Sequence, residues 1–172
     1  TNEKPFIKGI INDNIHKYLV ENANQLEEEN DTWLRSHGGN KNLKYSNVKF
    51  NINPENINNL KLKWKYSSFD ISKHKNKWRN NIELNPVFVD NKIIFVSADY
   101  KIVALDAKEG NVLWKKQSLL EPSRRGMTIS SENNKNYLFI TIGNSMFKLD
   151  ALNGNLVKNF GKNGAIKNAG SP

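Results

Sequence analysis

The chain contains no cysteine among its 172 residues. That excludes disulfides and every thiolate metal site. Arginine is scarce, confined to Arg35, Arg79, Arg124 and Arg125. No apolar run approaches the roughly 20 residues of a membrane-spanning helix. The longest apolar patches, such as Ile93 to Val96 and Tyr137 to Ile140, have the length of strands. Acidic residues are outnumbered, 17 against 26 basic ones, for a net charge of +9. Because that charge is almost all lysine and asparagine is abundant too, it reads as the solvated surface of an AT-rich coding sequence. No nucleic-acid partner is expected. His16, His37 and His74 lack metal-ligand spacing, and no nucleophile elbow or phosphate loop is present. No apolar leader opens the chain at Thr1, which reads as a processed or trimmed product. What remains, 37% hydrophobic and 25% charged, is the composition of a soluble globular chain.

Residues 1–30 stand apart. Ile15, Leu19, Ala23 and Leu26 fall on one face of a helix that Asn12 or Asp13 could cap. Glu27, Glu28 and Glu29 would fray its end, where the helix dipole disfavours negative charge. The expectation is a short amphipathic helix or a flexible leader. From Trp33 onward the pattern changes to strand and turn. Residues 53–56 carry Pro54 and read as a turn or short helical turn. Leu60, Leu62, Trp64 and Tyr66 alternate with lysines and predict a half-buried strand. Residues 67–81 are polar and read as an exposed loop.

After Pro86 four short strands follow one another through tight turns: Val87–Val89, Lys92–Ser97, Lys101–Leu105 and Asn111–Lys115. The pattern then recurs. Leu105-Asp106-Ala107 matches Leu149-Asp150-Ala151 at an offset of 44, with Gly110 and Asn111 meeting Gly154 and Asn155. The same offset aligns Phe95 with Phe139 and Val96 with Ile140. Four strands per unit and a period in the low forties mark propeller blades. In the turn Leu-Asp-Ala-x-x-Gly-Asn, the Asp side chain can accept backbone N–H groups and the glycine can take a positive φ. Trp114, on the outermost strand, has the bulk to fill the wedge between blades. The second repeat has Lys158 at that position, and Phe160 is expected to take over the packing.

The segment Ala104-Leu105-Asp106-Ala107-Lys108-Glu109-Gly110-Asn111-Val112-Leu113-Trp114 resembles the tryptophan-docking motif of the pyrroloquinoline-quinone (PQQ) dependent dehydrogenases, A-x-D-x-x-T-G-x-x-x-W, with Glu109 in place of Thr. Other segments resemble the same family in family order. They are Trp33 with His37-Gly38-Gly39, then Leu43-Lys44-Tyr45-Ser46, with Lys44 where Arg is usual. Ile52 to Leu60 and Trp64 follow, then Glu83-Leu84-Asn85-Pro86-Val87 with Asn85 for Thr, and Arg125-Gly126-Met127. Phe160-Gly161-Lys162-Asn163-Gly164 resembles the F-G-x-x-G of the sugar-oxidising branch. Pro122-Ser123-Arg124 stands where alcohol-oxidising members place adjacent cysteines, and this also favours the glucose, quinate and polyol group.

The resemblance implies an all-β fold: part of an eight-bladed β-propeller with four-stranded antiparallel blades, preceded by the N-terminal helix. Residues 31–172 would hold two blade repeats, near 86–117 and 127–160, and the start of a third. It implies that Glu83 and Arg125 contact PQQ, with Arg124 the alternative if the register slips by one. Catalytic and calcium-binding residues would come from the rest of the ring, so the chain would be inactive, and bind no cofactor, alone. The implied partners are that remainder (the same polypeptide or a second chain), an alcohol or sugar substrate and a quinone electron acceptor. The implied location is periplasmic, free or membrane-associated. The competing expectation is a non-catalytic propeller scaffold or assembly protein. Such a protein needs the docking motif but not Glu83, Arg125-Gly126 or the opening W-x-x-x-G-G.

Overall fold

The computed structural model describes residues 33–38, 44, 52–67 and 84–167, apart from the side chains of Arg124 and Arg125. The helix expected within residues 1–30 and, apart from residue 67, the loop expected at 67–81 lie outside the described residues. The described residues are almost entirely strand and turn; the Pro54 segment forms the expected turn, and a 3-10 turn follows it at Ile57–Asn59.

Among the described residues eight strands form two antiparallel sheets, each in simple sequential order. The first contains β1 (Val87–Val89), β2 (Lys92–Val96), β3 (Lys101–Asp106) and β4 (Val112–Gln117). The second contains β5 (Pro122–Glu132), β6 (Lys135–Ile142), β7 (Ser145–Asp150) and β8 (Ala165–Lys167). Turn chemistry explains the connections. Asp90-Asn91 and Asn133-Asn134 each take positive φ at both positions, 47° and 56°, then 50° and 58°. That is the hairpin turn whose twist matches its strands, and Asn and Asp tolerate it better than other side chains.

The sheets pack face to face. Val87, Val89, Ile94, Val96, Ala104 and Trp114 of the first meet Met127, Ile129, Leu138, Ile140, Leu149 and Ala151 of the second in one buried cluster. Ile94, Ile129, Leu138 and Ile140 are at most 1% exposed, each contributing about 1.5–3 kcal/mol by leaving water. β1 lies against β5, so the first strands of both sheets occupy the inner side of the array.

The repeat holds, but its register differs between strands. In the Leu-Asp-Ala turns the offset is 44. The Ala107 and Ala151 amides donate to the carbonyls of Asn91 and Asn136, each at 2.9 Å, and 136 − 91 is 45. The expected match of Phe95 with Phe139 therefore slips by one residue. Phe95 pairs with Val103 across the ladder and Phe139 with Lys148, whereas 103 + 44 is 147. The cause is the hairpin between the second and third strands. In the first sheet Ser97 donates to Lys101 O at 2.8 Å and closes a three-residue loop. In the second, Ile142 pairs with Ser145 around two residues. A one-residue slip moves a side chain to the other face. Accordingly Phe95 meets Tyr66 edge-on at 5.7 Å, while Phe139 meets Phe160 at 5.5 Å on the opposite side of its own sheet.

Two further expectations need correcting. The second repeat was expected to end near residue 160, but its fourth strand is Ala165–Lys167. The chain starts that strand on time, with Leu149 bridged to Leu156 and the Val157 amide donating to Lys148 O at 2.9 Å. It then leaves the ladder through Phe160–Gly164 and returns opposite Phe147. Gly161 permits the return, since a Cβ there would stand 2.3 Å from Ala165 O. The half-buried strand expected at Leu60 to Tyr66 is extended but joins no ladder among the described residues. Leu60 and Leu62 are 61% and 83% exposed, and only Trp64 and Tyr66 on that face are partly covered.

Candidate functional site

The sheets are joined by an interlock that repeats. The Trp114 indole crosses from β4 to the second sheet and donates from Nε1 to Ala151 O at 3.1 Å. Trp64 does the same to the first sheet, donating to Ala107 O at 3.1 Å. Each indole lies on the glycine of the receiving turn. A Cβ on Gly154 would stand 2.6 Å from Trp114 Cε3, and one on Gly110 would stand 2.5 Å from Trp64 Cδ2. Both glycines also have positive φ, 69° and 74°. Two requirements therefore converge on one residue type: a left-handed backbone and an open place for an indole. Asp106 Oδ1 holds its turn by accepting from the Lys108 and Glu109 amides at 2.9 and 2.7 Å, and Asp150 Oδ1 accepts from Leu152 at 2.7 Å. Glu109, which departs from the motif, faces Lys63 at 3.1 Å across the same junction. That pair is exposed and worth little.

Since Trp64 docks on the first sheet as Trp114 docks on the second, residues 60–66 stand where the outer strand of a preceding blade would stand. The first sheet turns apolar recesses toward that side. One of 360 Å³ is lined by Trp64, Tyr66, Leu84, Pro86, Ile93 and Phe95 among others. Another of 520 Å³ lies between Trp33, Asn85, Pro86, Phe88 and Ile93.

On the inner side, residues 33–36 form an extended segment that binds both blades at once. Trp33 exchanges two backbone hydrogen bonds with Phe88 of β1, at 2.9 and 2.7 Å. Leu34 O accepts from the Ile129 amide of β5 at 2.7 Å, and Arg35 is bridged to Thr128. Residues 33–35 thus cover the inner edges of two neighbouring blades, which an open sheet must otherwise leave unpaired. A Cβ on Gly38 would stand 3.7 Å from the Trp33 ring. Asn85, in place of Thr, donates from Nδ2 to Ser36 O at 2.8 Å. A Cβ on Gly126 would stand 4.0 Å from Ser36 Oγ. One residue of the inner segment therefore touches the start of the first inner strand and lies beside the middle of the second.

Of the two residues implicated in cofactor contact, Glu83 lies outside the described residues. The backbone of Arg125 belongs to β5, where the ladder shifts register between Pro122 and Met127, not to the connection before that strand. Its side chain, and that of Arg124, lie outside the description. What the structure adds is the placing of their neighbours, Asn85 and Gly126, about Ser36. Sequence reasoning gave no role to Ser36, Arg35 or Thr128. Arg35 occupies a variable position of its motif, and nothing marks Thr128 except its place on an inner strand. Arg35 Nε and Thr128 Oγ1 are buried and have no hydrogen-bond partner among the described residues, and donors of this kind fit a group rich in acceptor oxygens. Among the described residues no group of three His, Asp or Glu is placed to hold a metal ion.

Two four-stranded antiparallel sheets, stacked face to face, with Trp114 of the first docked on a turn of the second and Trp64 docked on a turn of the first, define a partial β-propeller. The chain belongs to the family described as PQQ: Glucose/ethanol/alcohol dehydrogenase, beta-propeller domain, whose pattern matches residues 33–169. No curated protein matches the chain.

Proposed function

We propose that these blades are the N-terminal part of a PQQ-dependent dehydrogenase of the glucose, quinate and polyol branch, with an alcohol or sugar as substrate and a quinone as electron acceptor. The observation that carries this is the inner segment. Asn85 and Gly126, the described neighbours of Glu83 and Arg125, come together about Ser36. The enzyme reading requires the two family positions at one end of the ring, and this arrangement supports it. The family membership supports PQQ as the cofactor.

PQQ would supply the oxidising quinone. The chain's part would be to bind and orient it. A guanidinium at Arg125 presents a fork of donors suited to planar carboxylates, and a carboxylate at Glu83 would hydrogen-bond a ring position. Calcium and the catalytic base would come from the remaining blades of an eight-bladed ring, which would also cover the open faces of these two. On this reading the two blades are inactive alone, and the location is periplasmic. No helix among the described residues is long and apolar enough to cross a membrane. The F-G-x-x-G excursion at Phe160–Gly164 supports the sugar and polyol branch.

The test is a titration of the apo protein carrying the whole ring with PQQ in the presence of calcium. Arg125→Ala should weaken binding by roughly 2–5 kcal/mol, the scale for truncating one partner of a buried charge pair. Glu83→Gln should weaken it less, because the amide still hydrogen-bonds. Unchanged affinity in both variants would refute the assignment of these two residues.

A further inference from the structure

Arg35 Nε and Thr128 Oγ1 are the two buried side-chain polar atoms that lack a hydrogen-bond partner among the described residues. They belong to residues that face each other in an antiparallel bridge. Directly opposed residues of such a pair project to the same side of the sheet. A buried donor left unpaired is costly, the more so when it carries charge. Two orphans side by side indicate one shared acceptor. The arginine N–H can only donate, and the threonine hydroxyl is free to donate. No described carboxylate neutralises Arg35. The acceptor that satisfies all of this is an anionic oxygen group, and a carboxylate fits both donors.

The location narrows the occupant. Arg35 precedes Ser36, the residue beside Asn85 and Gly126 on the inner side of the two blades. Thr128 stands on β5, three positions after Arg125. We infer that Arg35 and Thr128 form a carboxylate-binding pair at the inner edge of these blades and that it takes a carboxylate of the planar cofactor; this rests on the function proposed above. A carboxylate side chain from the rest of the ring has the same chemistry and is the source the experiment must separate. Arg35 is thereby a cofactor-binding residue contributed by the opening segment. That gives the segment a second task beyond covering the strand edges.

The experiment uses the protein carrying the whole ring, prepared without cofactor, and measures both its PQQ affinity with calcium present and its thermal midpoint before PQQ is added. Arg35→Ala should raise the dissociation constant about tenfold or more, the equivalent of losing at least one charge-assisted hydrogen bond. Thr128→Val, which keeps the shape and removes the hydroxyl, should raise it about threefold to tenfold. Arg35→Lys should bind better than Arg35→Ala and worse than the parent, since it keeps the charge but not the Nε–H. The midpoint of the cofactor-free protein should be unchanged or slightly higher in Thr128→Val, because an unsatisfied group has been removed. Unchanged PQQ affinity in both Arg35→Ala and Thr128→Val overturns the inference. So does a lowered cofactor-free midpoint with unchanged affinity, which would place a side chain of the ring on the pair. A parent protein that takes up no PQQ refutes the proposed function itself, and it is recognised without any variant.

Discussion

Substituting alanine for Gly154 tests the interlock between blades. The new Cβ would lie 2.6 Å from Trp114 Cε3 and 2.9 Å from Cδ2 and Cζ3, far inside the roughly 3.5–4.0 Å at which carbons rest. The neighbour is a rigid ring, so relief requires the whole indole to withdraw by about 1 Å. That movement breaks the 3.1 Å bond from Nε1 to Ala151 O, at a cost of about 1 kcal/mol. It also uncovers part of a side chain now 8% exposed, worth about 1–2 kcal/mol more. Alanine at φ 69° adds about 1–2 kcal/mol of backbone strain, partly offset by about 0.4–1 kcal/mol of lost chain entropy in the unfolded state. The total is about 2–5 kcal/mol. Gly143 provides the control. It too has positive φ, 55°, but its Cβ would meet only Leu120 Cδ1 at 3.1 Å, the movable end of an exposed side chain. Alanine there should cost about 1 kcal/mol. Urea unfolding followed by far-ultraviolet circular dichroism measures both. Equal losses for Gly154→Ala and Gly143→Ala would refute the docking argument, leaving backbone strain as the whole effect.

Gly110→Ala should behave like Gly154→Ala, because Trp64 lies on Gly110 as Trp114 lies on Gly154; a loss no larger than at Gly143 would show that residues 60–66 do not dock. In the turn after β2, burial raises the Asp99 pKa, but hydrogen bonds from Lys101 and Ser97 and the charge of Lys101 outweigh it and hold the group below its ordinary value. Its contribution to stability is therefore present above that ordinary value, about 3.8, and is lost as the pH falls through the lower folded value. The gap in urea midpoint between the parent and Asp99→Asn should be present at about pH 6 and shrink toward about pH 3; a gap that does not shrink in acid would contradict this. In the protein carrying the whole ring, the amides of residues 61–66 should be protected from hydrogen exchange by a strand of the blade that this segment completes; free exchange would contradict that place for it.

Much of this architecture is written in local chemistry. Asp90-Asn91, Asn133-Asn134 and the Leu-Asp-Ala-x-x-Gly-Asn turns each demand a particular backbone, so they locate the hairpins. The second reason for Gly110 and Gly154 was hidden, because the indole that needs the space comes from 46 and 40 residues upstream. The strand register misled for a related reason. Phe95 and Phe139 are alike in sequence, but a loop one residue shorter in the second sheet turns them to opposite faces. Leu60 and Leu62 alternate like buried strand residues yet stand exposed. Their pattern anticipates a covering blade that these residues do not contain. At the candidate site, Asn85 reads as a departure from the motif until its amide is seen donating to Ser36 O. Arg35 and Thr128, 93 residues apart, have no common signal in the sequence, because only the backbone bridge between the inner segment and β5 brings them together.

We propose that these blades belong to an enzyme that oxidises an alcohol group with PQQ. The most direct measurement is the visible and near-ultraviolet spectrum of the protein carrying the whole ring, loaded with PQQ and calcium, before and after a sugar, a polyol or a simple alcohol is added. Bound PQQ should be reduced, with a spectral change driven by a sugar or polyol and dependent on calcium. A protein that takes up no PQQ, or that holds it unreduced against every such substrate, would contradict the claim and leave a propeller that serves as a scaffold.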